Sequence, residues 1–252
     1  MRRTILTLAI LLLPLVSSAQ EGVVTYTESI KIDIQLPPEM QAMRAQIPNS
    51  RTATKQLFFN ETASLMKNLP MSEESQRDAG FEGGGGGFRM RMGGMRENNE
   101  IYTNLDEGLT TEKREFLGRT FLIEGDQEAI AWRLTDEKAE FLGYPCLKAV
   151  GTRDTTSFEA WFTPEIPVSA GPDIYAGLPG LVLVVNVDEG RITYTATEIN
   201  TEALAEGTIV APEDGKKVTR EEFDKVVEEK MKEMGGAPGR GGRQATFMVR
   251  GH

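Results

Sequence analysis

Three methionines, Met90, Met92 and Met95, fall close together in the stretch FRMRMGGMRE. Thioether sulfur is a soft, uncharged ligand that suits Cu(I) and binds without first losing a proton. A glycine-rich segment could wrap three such sulfurs around one ion, so copper binding at Met90, Met92 and Met95 is one expectation. Arg89, Arg91 and Arg96 oppose it by placing positive charge beside the cation. The same stretch alternates Phe88, Met90 and Met92 with Arg89 and Arg91, a short amphipathic pattern suited to a partner's sheet edge or an anionic envelope surface. A tolerated, disordered surface insertion is the plainest account of the stretch.

Other chemistry is struck out by inventory. The single histidine is His252, so neither a histidine-based triad nor a histidine-rich zinc site can be assembled. The chain has no G-x-S-x-G elbow, no Walker loop and no HExxH. Acidic residues are plentiful, and Glu165 and Asp173 are the pair to inspect for acid–base work. Solvated loop carboxylates are the plainer account of both, so an enzyme is the less favoured reading. The only cysteine, Cys146, lies in FLGYPCLKAV and reads as a buried small hydrophobe. A net charge of −10 disfavours a nucleic-acid partner.

Residues 1–19 read as a signal peptide. Arg2 and Arg3 precede an apolar run, and Ser17-Ser18-Ala19 supplies the small residues of a cleavage site before Gln20. Residues 20–234 then form one β-rich domain. No later run reaches the length of a membrane span, and no cysteine stands beside the cleavage site to carry a lipid. The expectation is an exported protein of the periplasm or cell envelope.

These residues must be positioned by strands. In VVTYTESIKIDIQL, Val24, Tyr26, Ile30, Ile32 and Ile34 alternate with polar residues, and Glu28 is the exception. Met40, Met43 and Ile47 space a short helix closed by Pro48. Further strands are expected at 52–59, 62–67, 100–105, 120–124, 129–135, 139–142, 146–152, 157–163, 181–187 and 192–199. Turn signals at Gly118, Gly125-Asp126, Asp136-Glu137 and Gly151 separate some of them. Asp188-Glu189-Gly190 reads as a hairpin tip. Thr219 and Glu222 make a capping box for a helix over 219–234, with Phe223, Val226, Val227, Met231 and Met234 as its apolar stripe. Residues 80–97 and the tail 235–252 are glycine- and arginine-rich and cannot build a core. The fold class is mainly β: a curved antiparallel sheet, or half-barrel, with one or two packed helices.

Seven Pro or Gly residues lie between Pro164 and Gly180, directly before the apolar run Leu181–Val187. Such a loop is long but stiff, and Pro179-Gly180 suits a type II turn that fixes where a doubly buried strand begins. GLPGL at 177–181, preceded by WFTPEIPVSAGPDIYA and followed by the helix of GKKVTREEFDKVVEEKMKEM, resembles the signature of the GLPGLI family of exported bacterial proteins. Val182 stands where the family name ends in isoleucine. The resemblance implies a β-rich exported domain without a settled activity. It also suggests a curved sheet with a helix on its concave side, as in periplasmic lipoprotein carriers.

The function expected is therefore a non-catalytic binding or interaction protein. Its partner would be an apolar ligand or an envelope protein, held near Trp132, Trp161, Pro172, Tyr175, Gly177, Leu178, Pro179 and Gly180. No cofactor is expected on this reading, copper being the alternative.

Overall fold

The computed structural model describes residues 20–33, 48–69, 99–127, 129–153 and 155–233. The expected signal peptide over 1–19, the short helix expected around Met40, Met43 and Ile47, the stretch with Met90, Met92 and Met95, and the C-terminal tail lie outside the described residues.

Among the described residues twelve strands form one sheet. They are β1 (Gly22–Lys31), β2 (Ser50–Phe59), β3 (Ala63–Asn68), β4 (Glu100–Asn104), β5 (Leu109–Phe116), β6 (Arg119–Asp126), β7 (Arg133–Phe141), β8 (Tyr144–Arg153), β9 (Thr156–Thr163), β10 (Leu181–Val187), β11 (Ile192–Asn200) and β12 (Lys216–Val218). Their order is β12-β6-β5-β4-β3-β2-β1-β11-β10-β9-β8-β7. Every ladder is antiparallel except β12 on β6, which makes the sheet mixed. Helix α1 (Arg220–Glu233) follows β12 directly. The mainly β sheet with a packed helix is the architecture the alternating patterns predict. No described helix is long and apolar enough to cross a membrane.

One face of the sheet carries both cores. Cross-strand partners run Leu57–Met66–Ile101–Glu112–Ile123 from β2 to β6, so these side chains share a face. At the β2 end this face belongs to the large core, which holds Tyr26, Phe59, Phe162, Val185 and Tyr194. At the β6 end it packs against the helix through Phe116, Phe121, Ile123, Val218, Phe223 and Val227. The Phe223 ring meets Phe121 edge-on at 5.3 Å between centroids. The capping box forms as expected: Glu222 N–H donates to Thr219 Oγ1 at 3.2 Å, and Thr219 N–H to Glu222 Oε2 at 3.0 Å. Met231, read as part of the apolar stripe, is 40% exposed, so the buried face is narrower than the spacing suggests.

Several expected boundaries differ. Gly151 lies inside β8, where a Cβ would come within 2.8 Å of Ile130 Cγ2; it is glycine for close packing, not for a turn. Gly125-Asp126 closes β6 instead of ending it early. Asp136-Glu137 sits in a register shift between Leu134 and Lys138, so the two short strands expected there are one bulged strand, β7. Two strands carried no recognisable pattern. β12 has only three residues, and β5 turns Glu112 and Arg114 inward, inverting the usual alternation. Glu112 is held between the guanidinium groups of Arg114 and Arg220, which ties α1 to β5.

The hairpin at Asp188-Glu189-Gly190 is present, all three residues having left-handed φ (46°, 56° and 78°). Two other hairpins share the sequence EFLG at their tips. Leu117-Gly118 and Leu142-Gly143 form two-residue turns with Leu117 at φ 50° and Leu142 at φ 54°. Leucine is a poor residue for that backbone.

Candidate functional site

The segment 164–180 between β9 and β10 folds back over the large core as a cover. Ile166, Val168, Ala170, Tyr175 and Leu178 turn inward, while Pro167, Ser169, Gly177 and Pro179 face out. The cover is stitched to itself and to β10: Leu181 N–H donates to Ile166 O at 2.9 Å, Val182 N–H to Ala170 O at 3.0 Å, and Ser169 Oγ to Leu178 O at 2.7 Å. Leu181–Val187 is thus buried on both faces, with the loop as its lid. The turn at its entrance is not type II. Gly180 N–H donates to Leu178 O at 2.8 Å, two residues back, and Gly180 has φ 154° where a type II turn needs about +80°. Glycine is required there because a Cβ would lie 2.2 Å from Thr163 O. Gly171 is equally constrained, with Tyr175 O at 2.0 Å from the Cβ position.

Beneath the cover lies a cluster of ionisable side chains. Lys55 Nζ pairs with Glu28 Oε1 at 2.9 Å. Tyr194 Oη is 2.8 Å from the same oxygen and 3.0 Å from Asp173 Oδ2. Asp173, at the apex of the cover, has φ 56°, and its N–H donates to Met66 Sδ at 3.0 Å. Glu28, Lys55 and Asp173 are each no more than 8% exposed, and Tyr194 is completely buried. Burial, then the charges of Asp173 and Glu28, hold the Tyr194 phenol well above its usual range. Glu165, by contrast, is exposed, so the carboxylate pair singled out from sequence does not converge.

The outer face of β8–β10 carries a second group of polar and aromatic side chains. Strand period two places Phe158, Ala160 and Phe162 inward and Ser157, Glu159 and Trp161 outward. Glu159 Oε2 pairs with Lys148 Nζ at 2.9 Å, and its Oε1 accepts from Asn186 Nδ2 at 3.2 Å and Trp161 Nε1 at 3.4 Å. Phe141 meets Trp161 edge-on at 5.6 Å. Partial burial raises the Glu159 carboxyl, but hydrogen bonds from Lys148 and Asn186 outweigh it and lower the group below its ordinary range. Lys148 is raised by its bonds to Glu159 and Glu137. Beside this patch an open groove of about 620 Å³ runs past Arg133, Thr152, Ser157, Glu159, Asn186 and Glu189.

The residues expected to share one binding surface are therefore divided. Trp132 lies on the covered side, against Phe158, with its Nε1 donating to Ala176 O at 3.0 Å. Trp161 lies on the opposite face. Pro172, Tyr175, Leu178 and Gly180 are buried in the core, and only Gly177 and Pro179 reach solvent. Lys55 and Tyr194, and the outer group of Lys148, Glu159 and Asn186, were not singled out from sequence. Glu28 was visible there only as a break in an alternating strand. Cys146 is buried as expected, and burial pushes its thiol up to about 11. Among the described residues no cluster of three or more His, Cys, Asp or Glu side chains could hold a metal ion.

A family model described as "Protein of unknown function (Porph_ging)" matches residues 151–184. That span runs from the end of β8 through β9 and the cover into β10. No curated protein matches the chain. Among solved structures the chain is similar to PNGF-II in its C2 crystal form (TM-score 0.54, 17% identity) and in its P21 form (TM-score 0.53, 18% identity). In both cases the match covers 83% of this chain and 33% of that one, so the chain spans about a third of PNGF-II's length. At this identity the likeness is one of fold.

Proposed function

We propose that the chain is an exported, non-catalytic binding or interaction protein of the periplasm or cell envelope, of the GLPGLI type. Its partner is polar and docks on the outer face at Trp161, Glu159 and Asn186. The observation that carries this reading is a separation. The buried cluster of Glu28, Lys55, Asp173 and Tyr194 is sealed beneath the 164–180 cover, whereas an aromatic and hydrogen-bonding patch lies open beside a groove. A catalytic carboxylate must reach its substrate, and these do not. Binding sites combine an aromatic surface with a few fixed polar groups, and Glu159 is fixed from three sides. The apolar ligand considered from sequence loses support, because the face meant for it is filled by Tyr175 and Leu178.

The test is photo-crosslinking in cells from the exposed position Thr152, paired with native mass spectrometry of the mature protein purified without chelators. A crosslinked partner that is lost in Trp161→Ala and Glu159→Gln supports the reading. A bound lipid would return the function to the covered face. Copper in the native mass, lost when Met90, Met92 and Met95 become leucine, would transfer it to the methionine segment.

A further inference from the structure

The two EFLG hairpins are copies of one longer sequence. Residues 109–118 read LTTEKREFLG and residues 134–143 read LTDEKAEFLG, identical except at Thr111/Asp136 and Arg114/Ala139. The two copies meet different surroundings. In the first, Phe116 and Glu112 face α1: Phe223 meets Phe116 edge-on at 6.1 Å, and Arg220 pairs with Glu112. In the second, the equivalent Phe141 lies on the outer face of the sheet. Its neighbour Ala139 is the cross-strand partner of Cys146, which shares a face with Lys148, and Glu137 reaches Lys148 Nζ at 3.1 Å. Burial follows: Phe116 is 8% exposed, whereas Phe141 is half-buried and the Glu137 side chain is 60% exposed. We propose that the outer face of the β7–β8 hairpin receives an amphipathic helix of a partner protein, built like α1, with an arginine three residues before an aromatic anchor and an aliphatic residue four after it. This rests on the reading of the outer face as a docking surface, and it names the element that docks.

The first hairpin shows what such a face takes. Arg220, Phe223 and Val227 fall on one side of α1, and that side closes the first copy. Among the described residues no helix lies over the second copy, since α1 packs on β6. The second copy offers the matching chemistry. Phe141 and its cross-strand partner Tyr144 stand beside Trp161, all three half-buried, and aromatic side chains of this kind anchor interfaces. Trp161 meets Phe141 edge-on at 5.6 Å, much as Phe223 meets Phe116, and supplies one wall of an apolar seat. The charge is also complementary. Ala139 stands where the first copy has Arg114, and Glu137 shares the Lys148 ammonium with Glu159. Two carboxylates around one ammonium leave a negative charge that an incoming arginine offsets. A helix laid on an apolar seat by one face is an established way of recognising a partner. A second copy of the chain could lend its α1 only by giving up the packing of Phe223 on Phe116 and Phe121.

The probe is α1 itself as a free peptide, residues 219–233, held helical by a staple on its solvent-facing side and added to the purified chain. A second version carries a benzophenone side chain in place of Phe223. The expected result is saturable binding by fluorescence anisotropy, with crosslinks on Phe141, Tyr144 or Trp161. Glu137→Lys should weaken the peptide about fivefold, and an Arg220→Glu peptide should recover that loss on the same variant. The Glu137 side chain is largely exposed, so this change leaves the fold intact. Crosslinks confined to β5 and β6, where the peptide would merely displace α1, overturn the proposal, and so does the absence of saturable binding. A dimer of the chain that Glu137→Lys breaks also overturns it, because the occupant is then a second copy. None of these results depends on whether Thr152 captures a partner in cells, so the docking surface and the helix that fills it fail separately.

Discussion

The Tyr26 hydroxyl donates to the main-chain carbonyl of Val182, joining the first strand to the entrance of β10 across β11. Tyr26 pairs directly with Ala196, whose small side chain leaves room for the ring to cross. Val182 sits at a register shift in the β9–β10 ladder, where regular pairing is interrupted. The hydroxyl thus satisfies a carbonyl at an irregular point of the core, and Tyr26→Phe should cost about 1–3 kcal/mol by leaving it unpaired. Urea denaturation reads this as a lower midpoint with an unchanged slope.

Gly180→Ala should be more damaging. Its Cβ would lie 2.2 Å from Thr163 O; the Cβ is fixed by the backbone geometry and the oxygen is a backbone atom, so neither can swing aside. A loss above about 3 kcal/mol is expected, in the range reserved for severe single substitutions. Gly177→Ala is the control. It also has a left-handed φ, but no heavy atom lies within 4 Å of its Cβ position, so only the milder cost of that φ, about 1–2 kcal/mol, should appear.

The two EFLG tips offer a change in the opposite direction. Leu117 is 53% exposed and Leu142 46% exposed, and both sit in a backbone conformation that asparagine tolerates far better. Leu117→Asn and Leu142→Asn should each raise stability by about 1 kcal/mol. Thermal melting of the single and double variants checks this, and the two effects should add because the tips lie on separate hairpins.

Cys146 gives an alkaline prediction. Its thiol is raised in the folded state from an ordinary 9.0 to about 11, first by burial and further by Glu165. The folded chain therefore holds its proton where the unfolded chain has lost it, and the associated stability disappears as pH climbs from about 9 through 11. Midpoints measured across that window should fall less steeply in Cys146→Ala. At neutral pH the native thiol should also resist alkylation that proceeds readily in urea.

The helix end can be tested by itself. Phe223→Ala removes a ring packed on Phe116 and Phe121 and should cost about 3–5 kcal/mol. Thr219→Ala should cost about 1 kcal/mol through the capping box. Hydrogen exchange should show both losses concentrated at β5, β6 and α1.

Where the sequence was legible, a local pattern matched what the tertiary structure needed. Leu181–Val187 has the bounds expected from its apolar run, and Thr219 and Glu222 cap the helix as their spacing implies. β5 was not legible because two of its inward residues are Glu112 and Arg114, charged side chains whose ion-pair network includes Arg220 from far along the chain. The residues expected to share one binding surface lie apart for a related reason. Trp132 and Trp161 are close in sequence and equally aromatic, but a strand's period of two and the path of the 130–132 segment put them on opposite faces. Glycines misled in the same way: Gly151 marks a close approach within a strand, and a glycine does not state which of its two uses applies.

The position of β1 has a consequence for how the molecule forms. In the hydrogen-bonded ladder order, the meanders β2–β6 (with β12 at its edge) and β7–β11 are joined through this strand, bonded to β2 on one side and to β11 on the other. Thr27 pairs with Thr54 nearby but with Thr195 at the far end of the domain. Hairpins on either side can zip early from local contacts, while the seam must wait for nearly the whole chain and bear the closure entropy of the largest loop. Until then β1 and β11 each present an open edge. β1 is thus expected to be among the last strands completed, its pairing with β11 closing the centre of the sheet late in assembly.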